Sequence, residues 1–291
     1  MIWGFAFVAQ VEGAEILGPF TLNGVRFLIS IISLLPVVLI FEKGRSAPEE
    51  RKATFFASLL AGVVLFCASM LQQFGIHITG SAGISGFITG LYTVFIPIAC
   101  FLFFRQKTGI NVLLGAICAV LGLFLLCYKV GEGFSLGLGE ILLFIGAFFW
   151  TAHVVIVDRL GKNIRSLHFA WGQFAVCAVL GCIGMFVFNE GPTVASLVEA
   201  KWSLLYCGVL SSGVAYTLQI IAQKRSEPTF AGIVLSTEAV FSAVGGAIFG
   251  IDSISLLGYV GCAVIFFGIV LSQLNFRKNK MLTEPDTDVL K

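Results

Sequence analysis

The chain is short of charge. Only 12% of its 291 residues are Asp, Glu, Lys or Arg, 58% are hydrophobic, and the mean hydropathy is +0.99. A soluble domain needs far more polar surface, which excludes that class. The three histidines (His77, His153, His168) are scattered, and no HExxH, GxGD, GxSxG or Walker sequence and no basic patch occurs. An intramembrane enzyme, an ATP-driven pump and a nucleic-acid binder therefore lack their signatures. The eight cysteines lie in apolar segments without a CxxC pair, so they read as small buried hydrophobes rather than a metal or disulfide framework. No metal and no cofactor is expected.

What is present in quantity is Phe, with 29 residues, and Gly, with 33. Glycine lets membrane helices approach closely. A helix needs about 20 apolar residues to cross the hydrocarbon, and ten stretches meet or approach that length: 1–16, 20–41, 55–76, 82–104, 109–128, 137–157, 167–188, 202–222, 228–250 and 254–275. The breaks carry turn or charge signals, such as "EKGRSAPEERK" at 42–52 and "QKRSEP" at 223–228. The expected class is an all-α polytopic membrane protein with ten transmembrane helices. Residues 276–291 are polar and read as a disordered cytoplasmic tail.

With the breaks placed on alternating faces, 15 of the 18 Lys and Arg fall on the side of the N-terminus. Lys129 and Lys201 fall opposite, and Arg26 lies inside the second span, towards its outer end. This asymmetry puts both termini in the cytoplasm of a cell inner (plasma) membrane.

The chain also repeats itself. Shifted by 146, Gly62, Gln73, Gly86, Gly115 and Gly122 fall on Gly208, Gln219, Gly232, Gly261 and Gly268; shifted by 147, Trp3 and Phe27 fall on Trp150 and Phe174. Each half then holds five helices, and an odd number makes the second half enter with opposite orientation. That is an inverted-topology repeat with a site near the midplane between halves. The expected units are 1–128, a linker at 129–136, and 137–275. Trp150 lies much deeper in its helix than Trp3, which suggests that the first helix lacks N-terminal residues.

"IWGFAFVAQ", "GPFTLNGVRFLIS", "SAGISGFITGLYTVFIPI" and "GAICAVLGLFLL" in the first half resemble an EamA-type carrier of the drug/metabolite transporter superfamily. So do "GLGEILLFIGAFFWTAHVVIVDRLGK", "GIVLSTEAVFSAVGGAIFG" and "GCAVIFFGIVL" in the second. The resemblance covers almost the whole chain as two EamA repeats. It implies ten helices and export of small metabolites, amino acids or drugs without ATP hydrolysis. Where the family commonly reads acid-Pro-Val-Phe, this chain reads "EAVF", with Ala239 in the proline position.

From Pro228 to Gly250 the only ionisable side chain is Glu238. A carboxylate at helix centre costs roughly 2.5–3.5 kcal/mol on insertion scales. With no Lys or Arg expected at its depth, a water-filled cavity is the expected offset; a structural acid bonded between helices is the alternative. Its repeat mate is Tyr92. Trp150 and His153 share a helix face, as do Tyr216 and Gln219, and Gln73 is the mate of Gln219. These seven residues are the candidate substrate-binding or coupling set, although each is also the kind of residue that joins helices in lipid; His153 has a further reading as a proton relay. Glu12, Glu15 and Glu140 read as helix-end acids, and Pro97, Gly86 and Gly90 as sources of bending in the fourth span. The expected function is a secondary transporter working by alternating access on a small-molecule substrate, as a monomer in the lipid bilayer. A channel or passive facilitator is the alternative.

Overall fold

A computed structural model describes residues 1–44, 47–105, 109–129, 133–134, 136–162, 164–224, 228–252 and 254–273. The expected tail at 276–291 lies outside them. The first half contains α1 (Ile2–Ala14), α2 (Pro19–Phe41), α3 (Pro48–Thr79), α4 (Ala82–Gly90), α5 (Tyr92–Phe104) and α6 (Ile110–Cys127). A two-residue antiparallel pair, β1 (Tyr128–Lys129) with β2 (Gly133–Phe134), falls at the expected linker. The second half contains α7 (Leu138–Leu160), α8 (Ser166–Val187), α9 (Val194–Glu199), α10 (Lys201–Leu205), a π segment (Tyr206–Tyr216), α11 (Thr217–Gln223), α12 (Pro228–Ile248) and α13 (Leu256–Gln273). Among the described residues, six stretches are long and apolar enough to cross a membrane: 19–41, 48–79, 82–104, 138–160, 166–187 and 201–223. Apolar helices at 110–126, 237–248 and 256–272 are shorter.

Three local expectations change. The break at 42–52 is not all loop, because α3 begins at Pro48 with Glu49 and Glu50 in its first turn. Proline at the first helical position and acids beside the positive helix end make that stretch a good helix start. The fourth span is interrupted at Leu91, where Leu91 N–H bonds the Ile88 carbonyl, three residues back, at 3.2 Å. Pro97 lies within α5, after this break. The eighth span is one continuous path, but its middle 11 residues wind as a π-helix. Such wide turns are uncommon and are frequent at functional sites.

The packing is that of a bundle in lipid. Phe27, Phe169 and Phe174 are fully buried, while Phe41, Phe186 and Leu256 on the periphery are 75%, 85% and 84% exposed. Apolar exposure on that scale matches a hydrocarbon surrounding.

Contacts across the bundle occur in reciprocal pairs. The Ser30 hydroxyl donates to the Gly208 carbonyl at 2.8 Å, and the Cys177 thiol donates to the Gly62 carbonyl at 3.3 Å. Residues 30 and 177 are related by the shift of 147, and 62 and 208 by the shift of 146, so one contact is the other with the halves exchanged. α6 and α13 cross in the same way. A Cβ on Gly115 would lie 2.5 Å from the Gly268 carbonyl oxygen, and one on Gly122 would lie 2.6 Å from that of Gly261. Only glycine permits backbones this close.

Candidate functional site

Between the halves lies a small cavity of about 30 Å³. From the first half, α1 supplies Trp3, Phe7 and Gln10, α2 supplies Arg26, α3 supplies Gln72, and Thr89 and Tyr92 flank the break in the fourth span. From the second half, α7 supplies Trp150 and Val154, the π segment Ser211 and Tyr216, α11 Gln219 and α12 Glu238. No described residue of α6 or α13 lines it.

Glu238 and Tyr92, mates in the repeat, are neighbours here. The Tyr92 hydroxyl lies against the Glu238 carboxylate. Both side chains are buried. Tyr92 occupies the first position of α5, directly after the break, so the irregular backbone positions it. Its carbonyl accepts the Thr151 hydroxyl at 3.3 Å, which ties the break to α7.

Arg26 corrects the sequence reading. It is the eighth residue of α2, about 10 Å into the helix, and only 2% exposed. It lines the same cavity as Glu238 instead of marking the outer end of the span. Its Nη1 donates to Gln10 Oε1 at 2.9 Å, and its Cζ stands 4.9 Å from the Phe27 ring centroid. Gln10 is itself oriented by a bond from its Nε2 to the Ala6 carbonyl at 3.1 Å. Among the described residues, no ion pair joins Arg26 to a carboxylate.

Aromatic rings make up much of the wall. The Tyr216 ring stacks on Trp150 at 5.9 Å and 8°, and the Trp3 ring is tilted against Tyr216 at 4.9 Å and 50°. Trp3 Nε1 donates to the Ser211 carbonyl at 3.1 Å, which fixes α1 to the π segment. The Tyr216 hydroxyl stands in the fields of both Arg26 and Glu238.

Several buried polar atoms on these walls have no partner among the described residues: Arg26 Nε and Nη2, Trp150 Nε1 and Gln219 Oε1. Buried polar atoms are ordinarily satisfied, and exceptions call for a water, an ion or a ligand. Glu238, Tyr92, Trp150, Tyr216 and Gln219 thus share one cavity. His153 and Gln73 do not line it. His153 is fully buried behind Trp150 and bonds Gln173 at 3.0 Å, while Gln73 Nε2 reaches the Gln10 carbonyl at 3.4 Å. Gln72, beside Gln73, faces the cavity and donates to Thr89 Oγ1 at 3.3 Å. Glu12 and Glu15 are exposed, and Glu140 sits in the first turn of α7, as a helix-end acid should.

Sequence reasoning missed Arg26 and Gln10. A signal was available: Asn23, Arg26 and Ser30 recur at spacings of three and four, and all three are buried. Chemically the cavity offers one cation, one carboxylate, aromatic faces and amides. Among the described residues no group of three or more His, Cys, Asp or Glu is placed to hold a metal.

Comparison with known proteins gives the same class. Residues 1–128 and 137–274 match the EamA-like transporter family. A Bacillus subtilis transporter, YoaV, is 22% identical over 284 residues, which cover 97% of this chain and 96% of that protein. A transporter of Archaeoglobus fulgidus is 24% identical over 277 residues, 94% of this chain and 83% of its own length. A solved crystal structure superposes with a TM-score of 0.66 at 18% identity, over 96% of this chain and 97% of that one.

Proposed function

The chain belongs to the EamA-like transporter family, and from that premise we propose that it is a secondary transporter that moves a small metabolite, amino acid or drug out across the plasma membrane. In this reading it crosses the bilayer ten times, as two inverted five-helix repeats, 1–128 and 137–275, with 129–136 between them and both termini in the cytoplasm. One chain holds a complete cavity, so the monomer is the transport unit.

The observation that carries the reading is the set of unpartnered polar atoms gathered on one cavity that both halves build. A carrier must leave such groups free for its cargo, because a site fully satisfied by its own side chains has nothing to offer. The reciprocal contacts support inverted repeats: each half grips the other through the same positions. Alternating access then follows as rocking of one half on the other about the cavity, with the close glycine crossings of α6 and α13 as the seam. Glu238 is the coupling group. Its carboxylate, held beside Tyr92, exchanges a proton when the cavity opens to water.

The test is uptake of radiolabelled amino acids into proteoliposomes containing the purified chain, with and without a pH gradient. Gradient-driven uptake that Glu238→Gln abolishes supports the reading. Unchanged gradient-driven uptake in Glu238→Gln removes the coupling role, and single-channel currents in planar bilayers would establish a pore instead.

A further inference from the structure

We propose that Arg26 is the anchor for a carboxylate on the transported solute. The inference rests on the carrier reading above and narrows it, since it makes the cargo an anion or zwitterion.

The guanidinium is oriented before anything binds. Nη1 is taken by Gln10 Oε1, whose amide is set by the Ala6 carbonyl, and the Phe27 ring covers one face. The two nitrogens left without a partner are Nε and Nη2. These form one edge of the planar group, and their N–H bonds run nearly parallel. That fork matches the two oxygens of a carboxylate, which it binds bidentately. The Cys207 thiol lies beside the group, but sulfur is a weak acceptor and no substitute for an anion. At 2% exposure a guanidinium without a counter-ion is costly. An internal acid could have relieved this, but among the described residues no ion pair joins Arg26 to Glu238, although both line the cavity. Tyr216 lines the same cavity and stands in the fields of both. The cavity thus carries a guanidinium on α2, a carboxyl group on α12 and aromatic rings on its walls.

Lysine at position 26 would keep the charge and lose the fork, which separates geometry from net charge. Matched probes separate the two poles. L-Phenylalanine carries both charged groups on an aromatic body, 3-phenylpropanoate carries only the carboxylate, and 2-phenylethylamine only the ammonium.

The experiment measures thermal stabilisation and tryptophan fluorescence of the purified full chain with each probe up to 20 mM. The wild type is expected to respond to phenylalanine and phenylpropanoate more strongly than to phenylethylamine. Arg26→Lys should weaken carboxylate binding at least tenfold, as the loss of a charge-assisted bond implies, and Arg26→Met should abolish it. Lys201→Met, at an exposed helix start, should change nothing. A second readout needs no ligand: Arg26→Met without probe should melt at or above the wild-type temperature, because an under-coordinated buried charge is removed. A lower melting temperature for Arg26→Met would make Arg26 a structural group and overturn the proposal. So would carboxylate binding that survives in Arg26→Met, a preference for phenylethylamine, or no response to any carboxylate. None of those results touches the carrier reading, which stands or falls on flux in proteoliposomes.

Discussion

Glu42 and His168 meet at 2.6 Å between the carboxylate and Nδ1, at the point where the end of α2 touches the start of α8. The same carboxylate accepts the backbone N–H groups of Leu167 and His168, both at 3.0 Å, so it caps the partner helix. Arg165 adds a bond from Nη1 to the Glu42 carbonyl at 3.0 Å and pairs with Glu50 at 3.7 Å. Burial pushes the Glu42 carboxyl upward, but the hydrogen bonds from the His168 side chain and the two backbone N–H groups outweigh it and hold the group below its ordinary value. A depressed carboxyl stabilises the fold above its unfolded pKa and loses that contribution as pH falls through the folded value. Glu42→Ala is therefore expected to melt earlier than wild type at pH 7, by the equivalent of about 1 kcal/mol or less given its partial exposure. The gap should close as the pH is taken below about 4. Melting curves of both proteins across that range are the check; a gap that persists at low pH would show that the carboxylate charge is not what holds the contact.

Glu190 makes the mirrored cap. Its Oε2 accepts the N–H groups of Phe20 and Thr21 at 2.9 and 3.1 Å, at the other end of α2. Positions 20 and 21 correspond to 167 and 168 by the shift of 147, and position 42 to 190 by a shift of 148. Glu190→Ala should speed hydrogen exchange at the first turn of α2 about tenfold while leaving the first turn of α8 unchanged, and Glu42→Ala should do the opposite. Mass spectrometry of both variants in nanodiscs reads this directly. Equal effects at both ends would mean that the two caps are one cooperative unit.

The crossing of α6 and α13 has no room for a side chain. Gly122→Val would place its Cβ against the Gly261 carbonyl oxygen and the Ile265 side chain, both at 2.6 Å. Overpacking of this kind costs about 1–3 kcal/mol. The expected outcome is a lowered melting temperature and poor recovery of monodisperse protein, with Gly115→Val behaving alike because its contact is the reciprocal one.

Much of the architecture was legible because it rests on period and composition. The shift of 146–147, visible in Gly115 and Gly122 against Gly261 and Gly268, reappears as physical contact between those residues. Glu238 and Tyr92 could be paired from the repeat alone, and their side chains do meet. The rest depends on information that one helix does not carry. Whether Arg26 faces lipid, headgroups or a cavity is decided by Gln10 on α1 and by the π segment, not by its own neighbours in sequence. The π winding leaves no periodic mark in "YCGVLSSGVAY". Gln73 and Gln72 differ by one position, and a helical rotation of about 100° per residue decides which of them faces the cavity. The break at Leu91 was half visible: Gly90 and Pro97 signalled weakness in the fourth span, but Tyr92 at the break itself is a property of the folded chain.

The most direct measurement asks whether the cavity opens to each face of the membrane in turn. Ser211, on the π segment and 4% exposed, lines the cavity, and cysteine differs from it by one atom. In a cysteine-free background, Ser211→Cys in oriented membrane vesicles is treated with an impermeant maleimide from one side and then the other. The account predicts labelling from both sides, slowed by a bound carboxylate probe, and loss of transport once labelled. Labelling from neither side, or from one side only under every condition, would contradict it.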